Sequence, residues 1–230
     1  MQNSVHNYLL LIWKDPSSRR NYTVGKLTRG DKFYFEYFGE YELAKKAGWR
    51  ELEAFPDNKV YANTELFLPF SSRLPDKKRR DIKVILEKYD LLVYDEFELL
   101  RKSGARLPID SYEFVDPIFP EDKTIKREFF IMGIRHVADC EGKNCPNLPN
   151  VSIGDQLVFV EEPENENDKY AIRVETANGE SLGYVPRYYN QSVLERLKKQ
   201  STYSCEVIDI NQNGPCAECI KVRLRIPKEE

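Results

Sequence analysis

The chain has 230 residues, 41 % of them hydrophobic and 32 % charged, with a formal net charge of −3. That length suits one large domain or two small ones, and that balance is the composition of a folded chain and excludes global disorder. Cations and acids are mixed along the sequence, which excludes a basic footprint over the whole chain; any nucleic-acid contact has to be a local patch. No apolar run reaches the length of a membrane span. The opening Met-Gln-Asn-Ser-Val-His lacks the charged-then-apolar pattern of a signal peptide. Five cysteines, an odd number, argue against a secreted disulfide framework. The expected location is the cytoplasm, without a membrane partner.

In chain order, the first half reads as an α+β domain. Tyr8 to Trp13 is a buried strand, and Tyr22 to Leu27 and Lys32 to Phe38 are two more, joined by the turn-forming Thr-Arg-Gly-Asp. Tyr41 to Ala47 is a short helix stopped by Gly48. Phe67 to Phe70 is a short apolar run. Asp81 to Tyr89 is a helix with Ile82, Ile85, Leu86 and Tyr89 on one face, and Asp95 to Lys102 is another, stopped by Gly104. The prolines at 108, 117 and 120 and the nearby acids mark a boundary. The expected domains are 1–116, a linker at 117–126, and 127–230.

The second half reads as mainly β. Strands are expected at Glu128 to Gly133, Gln156 to Val160, Ala171 to Glu175, Ser181 to Val185, Ser204 to Asn211 and Ile220 to Ile226. One helix, Gln191 to Lys199, sits between the fourth and fifth. Six short, closely spaced strands and one helix predict a small, partly closed barrel. The third and fourth strands are joined through Asn178-Gly179, a hairpin signal.

The richest stretch is Glu162 to Val174, Glu-Pro-x-Asn-x-x-Asp-x-x-Ala-Ile-x-Val, followed by Gly183-Tyr184-Val185-Pro186. With Gly133-Ile134-Arg135 and Gly154-Asp155-Gln156-Leu157 before it, this resembles a HIRAN domain over roughly residues 127 to 226. The resemblance implies a small barrel related to the oligonucleotide-binding barrels. In a eukaryotic member the domain captures the 3′-hydroxyl end of single-stranded DNA. Carried over by position, Arg135 falls on an arginine facing the DNA backbone, and His136 on an aromatic residue that stacks on a base. Asp168 falls on the acid that accepts from the terminal hydroxyl. Asn167 replaces an aromatic residue. Tyr184 and Arg187 fall on a polar ring and a basic residue near the terminal phosphate.

The chemistry of such a pocket follows from its groups. An ionised acid accepts from a hydroxyl, and arginines neutralise adjacent phosphates. An aromatic face, Tyr184 or His136, adds ~1–3 kcal/mol by stacking on a base. The plainer reading stays open beside it: Asn165 and Asp168 cap the loop between strands, as Asx residues do, and Tyr184 is barrel core.

The first half resembles, over roughly residues 8 to 115, the N-terminal subdomain of HipA-like toxin kinases. The carriers are Val24-Gly25-Lys26-Leu27, Phe33 to Tyr37, and Phe67-Leu68-Pro69-Phe70 with Arg73 to Asp76. No kinase core follows. The resemblance implies a contact surface for a protein partner.

Cys140 and Cys145 form one pair and Cys216 and Cys219 another, both in loops and both spaced for chelation. Together they would make a four-thiolate structural zinc site; the alternative is free thiols, or a redox-sensitive pair at Cys216 and Cys219. Cys205 lies within a strand and is expected to be buried. Lys77-Lys78-Arg79-Arg80 opens a helix and reads either as a solvated helix start or as a phosphate-contacting patch. Arg196, Lys198 and Lys199 on the last helix are candidates for backbone contacts.

No paired acid sits with a histidine or a credible metal cluster, so a non-catalytic protein is expected. The sequence predicts a nucleic-acid-binding chain whose barrel holds single-stranded DNA, with an N-terminal protein-interaction domain. The alternative is an antitoxin-like or regulatory interaction subunit whose barrel does not bind DNA.

Overall fold

The computed structural model describes residues 7–120, 122–137, 150–199, 202–211 and 218–227. The chain divides into two compact units, Met1–Pro117 and Ile118–Glu230. Among the described residues no helix is long and apolar enough to cross a membrane.

In the first unit β1 (Tyr8–Lys14), β2 (Asn21–Arg29), β3 (Phe33–Tyr37), β4 (Tyr61–Asn63) and β5 (Tyr112–Val115) form one antiparallel sheet in the order β4-β3-β2-β1-β5. Strand alternation places every second side chain on one face. β1 breaks that alternation, burying Leu11, Ile12 and Trp13 in a row. The register against β2 shifts at that point, Leu11 facing Gly25 and Ile12 facing Thr23, so that Val24 of β2 is the extra, bulged residue. Leu9, Leu11, Val24, Leu27 and Phe35 join the helices' apolar faces in one core. Phe35 lies 4.4 Å from Phe55 and 5.2 Å from Phe70, ring centre to ring centre, and Phe70 lies 5.0 Å from Phe114. The apolar run at 67–70 is the entry to a one-turn helix, α2 (Leu68–Ser71), which drives Phe70 into this cluster.

Three further helices follow the pattern of their caps. α1 (Tyr41–Lys46) ends before Gly48, whose φ is +97°. α3 (Ile82–Lys88) begins after the basic run, so Lys77 to Arg80 precede the helix rather than open it; all four are exposed, and Arg79 pairs with Asp81 at 2.8 Å. α4 (Glu96–Ser103) is capped by Asp95, whose carboxylate accepts from the Glu98 amide at 3.0 Å, and is stopped by Gly104 at φ +69°. Arg73, nearly buried, donates to both Asp110 oxygens and to the carbonyls of Ala105 and Tyr112. These bonds fasten the 105–112 loop ahead of β5.

The second unit begins earlier than the sequence predicts. Residues 118–120 and 122–126 are packed structure rather than linker: Ile118, Phe119 and Ile125 are buried, and the carbonyls of Phe119 and Pro120 accept from Arg196. Arg196 is therefore engaged inside the unit, not held out for a ligand. The strands pair as two three-stranded antiparallel sheets. One is β10 (Ser204–Ile210), β11 (Ile220–Ile226) and β6 (Ile125–Phe130), in that order; the other is β7 (Val158–Glu162), β8 (Ala171–Glu175) and β9 (Ser181–Tyr184). Isolated bridges, Met132 to Tyr184 and Gln156 to Glu206, stitch one sheet to the other. Among the described residues, the strands expected to make a small, partly closed barrel pair as two sheets joined by these two bridges. Cys205 is fully buried in β10, and burial pushes its thiol up to about 12.

Candidate nucleic-acid interface

The site is built around one close crossing. After β6 the chain passes through Met132 and Gly133 into a short helix, α5 (Ile134–Val137), which packs against β9. Met132 and Tyr184 exchange backbone hydrogen bonds, each N–H donating to the other's carbonyl at 2.8 Å. Two glycines permit this approach. Gly183 sits at φ +136°, and a Cβ there would lie 2.3 Å from the Met132 carbonyl oxygen. Gly133 sits at φ +75°, and a Cβ there would come within 3.3 Å of the Tyr184 ring. The crossing buries Ile134 and leaves the next two residues, Arg135 and His136, exposed beside Tyr184.

β7, β8 and β9 are antiparallel, so the end of β7, the start of β8 and the end of β9 share one end of the sheet. The Val185 amide donates to the Ile172 carbonyl at 3.0 Å and carries the pairing to that end. There lie the 163–170 loop and the first turn of α6 (Arg187–Lys199), which starts at the predicted basic residue Arg187. Pro186 just before it explains the early helix start, since proline is at home where no intrahelical N–H is needed.

Asn165 organises the loop. Its Oδ1 accepts from the amides of Asn167 and Asp168, at 3.0 and 3.2 Å, and its Nδ2 donates to Glu162 at 3.0 Å. Asp168 Oδ1 accepts from the Tyr170 amide at 2.9 Å, and Asp168 Oδ2 accepts from Asn190 Nδ2 at 2.9 Å. The Asx-type capping left open by the sequence is therefore present. It does not exhaust Asp168, because an ionised carboxylate has about four acceptor positions and two are used. Asn167 is exposed at the loop surface.

Tyr184 is neither simple core nor a loose ring. It is partly buried and its hydroxyl bonds to Glu162; burial first, then that bond, raises its pKa above the usual tyrosine range. Glu162 is held below the ordinary glutamate range, foremost by the Asn165 amide, with Tyr184 and Arg173 adding to it. Arg173 pairs with Glu162 and with Glu175. Glu162, Arg173 and Tyr184 thus form a continuous polar row across β7, β8 and β9 that fixes the tyrosine ring.

Arg135, His136, Asp168, Tyr184 and Arg187, far apart in sequence, are consequently carried by neighbouring elements. Sequence reasoning missed Asn190 and the Glu162–Arg173 pair. Asn190 had a signal: it lies on the helix face of Val193 and Leu194, both buried, where an amide is out of place. Of the four expected zinc ligands, Cys140, Cys145 and Cys216 lie outside the described residues. Cys219 is buried, and among the described residues no group of three or more metal-binding side chains comes together.

Residues 127–226 match the family described as HIRAN domain. The second unit carries a HIRAN domain. Among solved structures, the chain is similar to a structural-genomics protein of Lactobacillus plantarum, with 23 % identity and a TM-score of 0.35, over 44 % of this chain and 93 % of that one. It is also similar to the HIRAN domain of human HLTF, with 17 % identity and a TM-score of 0.29, over 44 % of this chain and 73 % of that one. No curated protein matches the chain. The likeness of residues 1–116 to HipA-like kinases gains no support from these comparisons.

Proposed function

We propose that this chain is a non-catalytic DNA-binding protein whose HIRAN domain holds single-stranded DNA by its 3′-hydroxyl end. The observation that carries the reading is the HIRAN match itself, at the residues that hold Arg135, Asp168, Tyr184 and Arg187. The arrangement at the end of the β7–β8–β9 sheet supports it. Arg135 and Arg187 are exposed cations suited to backbone phosphates, and Asp168 keeps acceptor positions for a hydroxyl. Tyr184, its hydroxyl tied to Glu162, offers a preset ring for the last base. The first unit serves a protein partner in this reading.

A second reading has its own observation. Glu161, Glu164 and Glu166 are exposed around the same loop, and Asn167 offers no stacking face there. Acids repel phosphates, so this surface also suits a protein contact without DNA.

Fluorescence anisotropy with labelled oligonucleotides separates the two. The full chain should bind a 3′-hydroxyl strand at low salt at least several-fold more tightly than the same strand ended in a 3′-phosphate. Arg135→Ala and Asp168→Ala should each weaken the hydroxyl-ended complex by about tenfold, the scale of one charge-assisted hydrogen bond. Equal binding of both ends leaves strand binding without end recognition. No binding of either end leaves the protein-contact reading.

A further inference from the structure

Asn190 is 97 % removed from solvent, being 3 % exposed, yet only one arm of its amide is used. Nδ2 donates to Asp168 Oδ2 at 2.9 Å, while Oδ1 is buried without a hydrogen-bond partner. An orphaned buried carbonyl destabilises a fold, and a leucine of similar volume on this apolar helix face would remove that cost. The bond is also not needed to shape the loop. Asn165 and the Tyr170 and Ala171 amides already fix the backbone from 165 to 171. What Asn190 adds is control of one carboxylate oxygen.

We infer that Asn190 is a positioning residue: it orients the Asp168 carboxylate as an acceptor toward the 3′-hydroxyl, and so sets the preference of the site for a hydroxyl over a phosphate end. This rests on the end-binding reading above. Because Nδ2 is a donor in fixed register on Oδ2, the turn of the Asp168 carboxylate is set and its other acceptor positions are left for a ligand. A terminal hydroxyl can donate to such a carboxylate; a terminal phosphate, itself anionic, is repelled by it. The amide cannot reverse without turning its oxygen on the carboxylate. The orphaned Oδ1 is the mark that this orientation is kept despite its cost.

The test uses two variants of the full chain and the ratio of affinities for hydroxyl-ended and phosphate-ended strands. Asn190→Leu should keep or raise the melting temperature while the ratio falls several-fold, to about one. Asn190→Asp keeps the shape but replaces the donor with a second carboxylate, which repels Asp168 while both are ionised. Its ratio should be lost at neutral pH and recover as pH falls and a proton restores the donor. A wild-type ratio of one would remove the end-binding reading and this inference with it. A clear wild-type preference retained in Asn190→Leu, or in Asn190→Asp at neutral pH, would overturn the inference alone. Loss of melting temperature in Asn190→Leu with the ratio unchanged would assign Asn190 to packing.

Discussion

Gly183→Ala should destabilise the HIRAN domain by about 3 kcal/mol or more, the scale of a backbone clash added to a disfavoured φ. The methyl group would sit 2.3 Å from the Met132 carbonyl oxygen and 2.9 Å from an Ile131 methyl, on a residue at φ +136°. Neither backbone can retreat alone, because Met132 and Tyr184 are bonded to each other in both directions. Relief requires opening that bridge, which detaches α5 and Arg135 from Tyr184. Stability and DNA binding should therefore fall together. Gly179→Ala is the matched control. It also has a positive φ, +84°, but nothing lies within 4 Å of the added methyl, so a loss of about 1 kcal/mol is expected. Urea unfolding of both variants checks the pair; equal losses would mean that the close crossing contributes nothing.

Arg73→Ala is the second large effect, about 3 kcal/mol in the first unit. Its side chain is 7 % exposed, and its guanidinium satisfies two carboxylate oxygens and two carbonyls. Removing it leaves those acceptors facing a void. The pH dependence identifies the cause. Burial works to raise the Asp110 pKa, but Arg73 and the Tyr112 amide outweigh it, and the carboxyl lies below the ordinary aspartate range. A lowered folded pKa gives stability that is present above the unfolded value of about 3.9 and is lost as pH falls through the folded value. The wild type should lose that part of its stability below about pH 4. The variant should lack this acid-sensitive part, and a variant that lost stability equally at every pH would point to packing instead.

Much of this architecture was legible in the sequence, for reasons that differ by element. β8 and β11 have the predicted bounds, Ala171–Glu175 and Ile220–Ile226. β11 alternates cleanly between buried and outward residues, and β8 is an apolar run, Ala171, Ile172 and Val174 buried, that ends just before the Asn178-Gly179 turn. β5 was missed because Tyr112 to Val115 lies between Pro108 and Pro117, which read as loop. It is a strand because Arg73 fastens its approach and β1 supplies the ladder, and neither contact is visible locally. β6 starts three residues before its predicted start at Glu128. Its outward Glu128 is supported by the neighbouring strand, where Lys221 and Arg223 pair with it. Charged alternation of that kind does not read as a strand without its partner.

The site was legible as residue types but not as geometry. The Glu162 to Val174 motif identified the loop, and its Asx chemistry is what the structure contains. The glycines at 133 and 183 were visible as motif letters, but their use, a backbone crossing, depends on the pairing of Met132 with Tyr184. The burial of Asn190 had a signal in its helix face, but its partner did not, because nothing in sequence links a helix residue to an acid 22 positions earlier.

The salt dependence of binding to a labelled single-stranded oligonucleotide tests the central claim most directly. Two phosphate contacts, from Arg135 and Arg187, predict a slope of log affinity against log salt of about −1.4, falling to about −0.7 in Arg135→Ala. No binding at low salt, or a slope unchanged by Arg135→Ala, would contradict a DNA-binding surface at this end of the HIRAN domain.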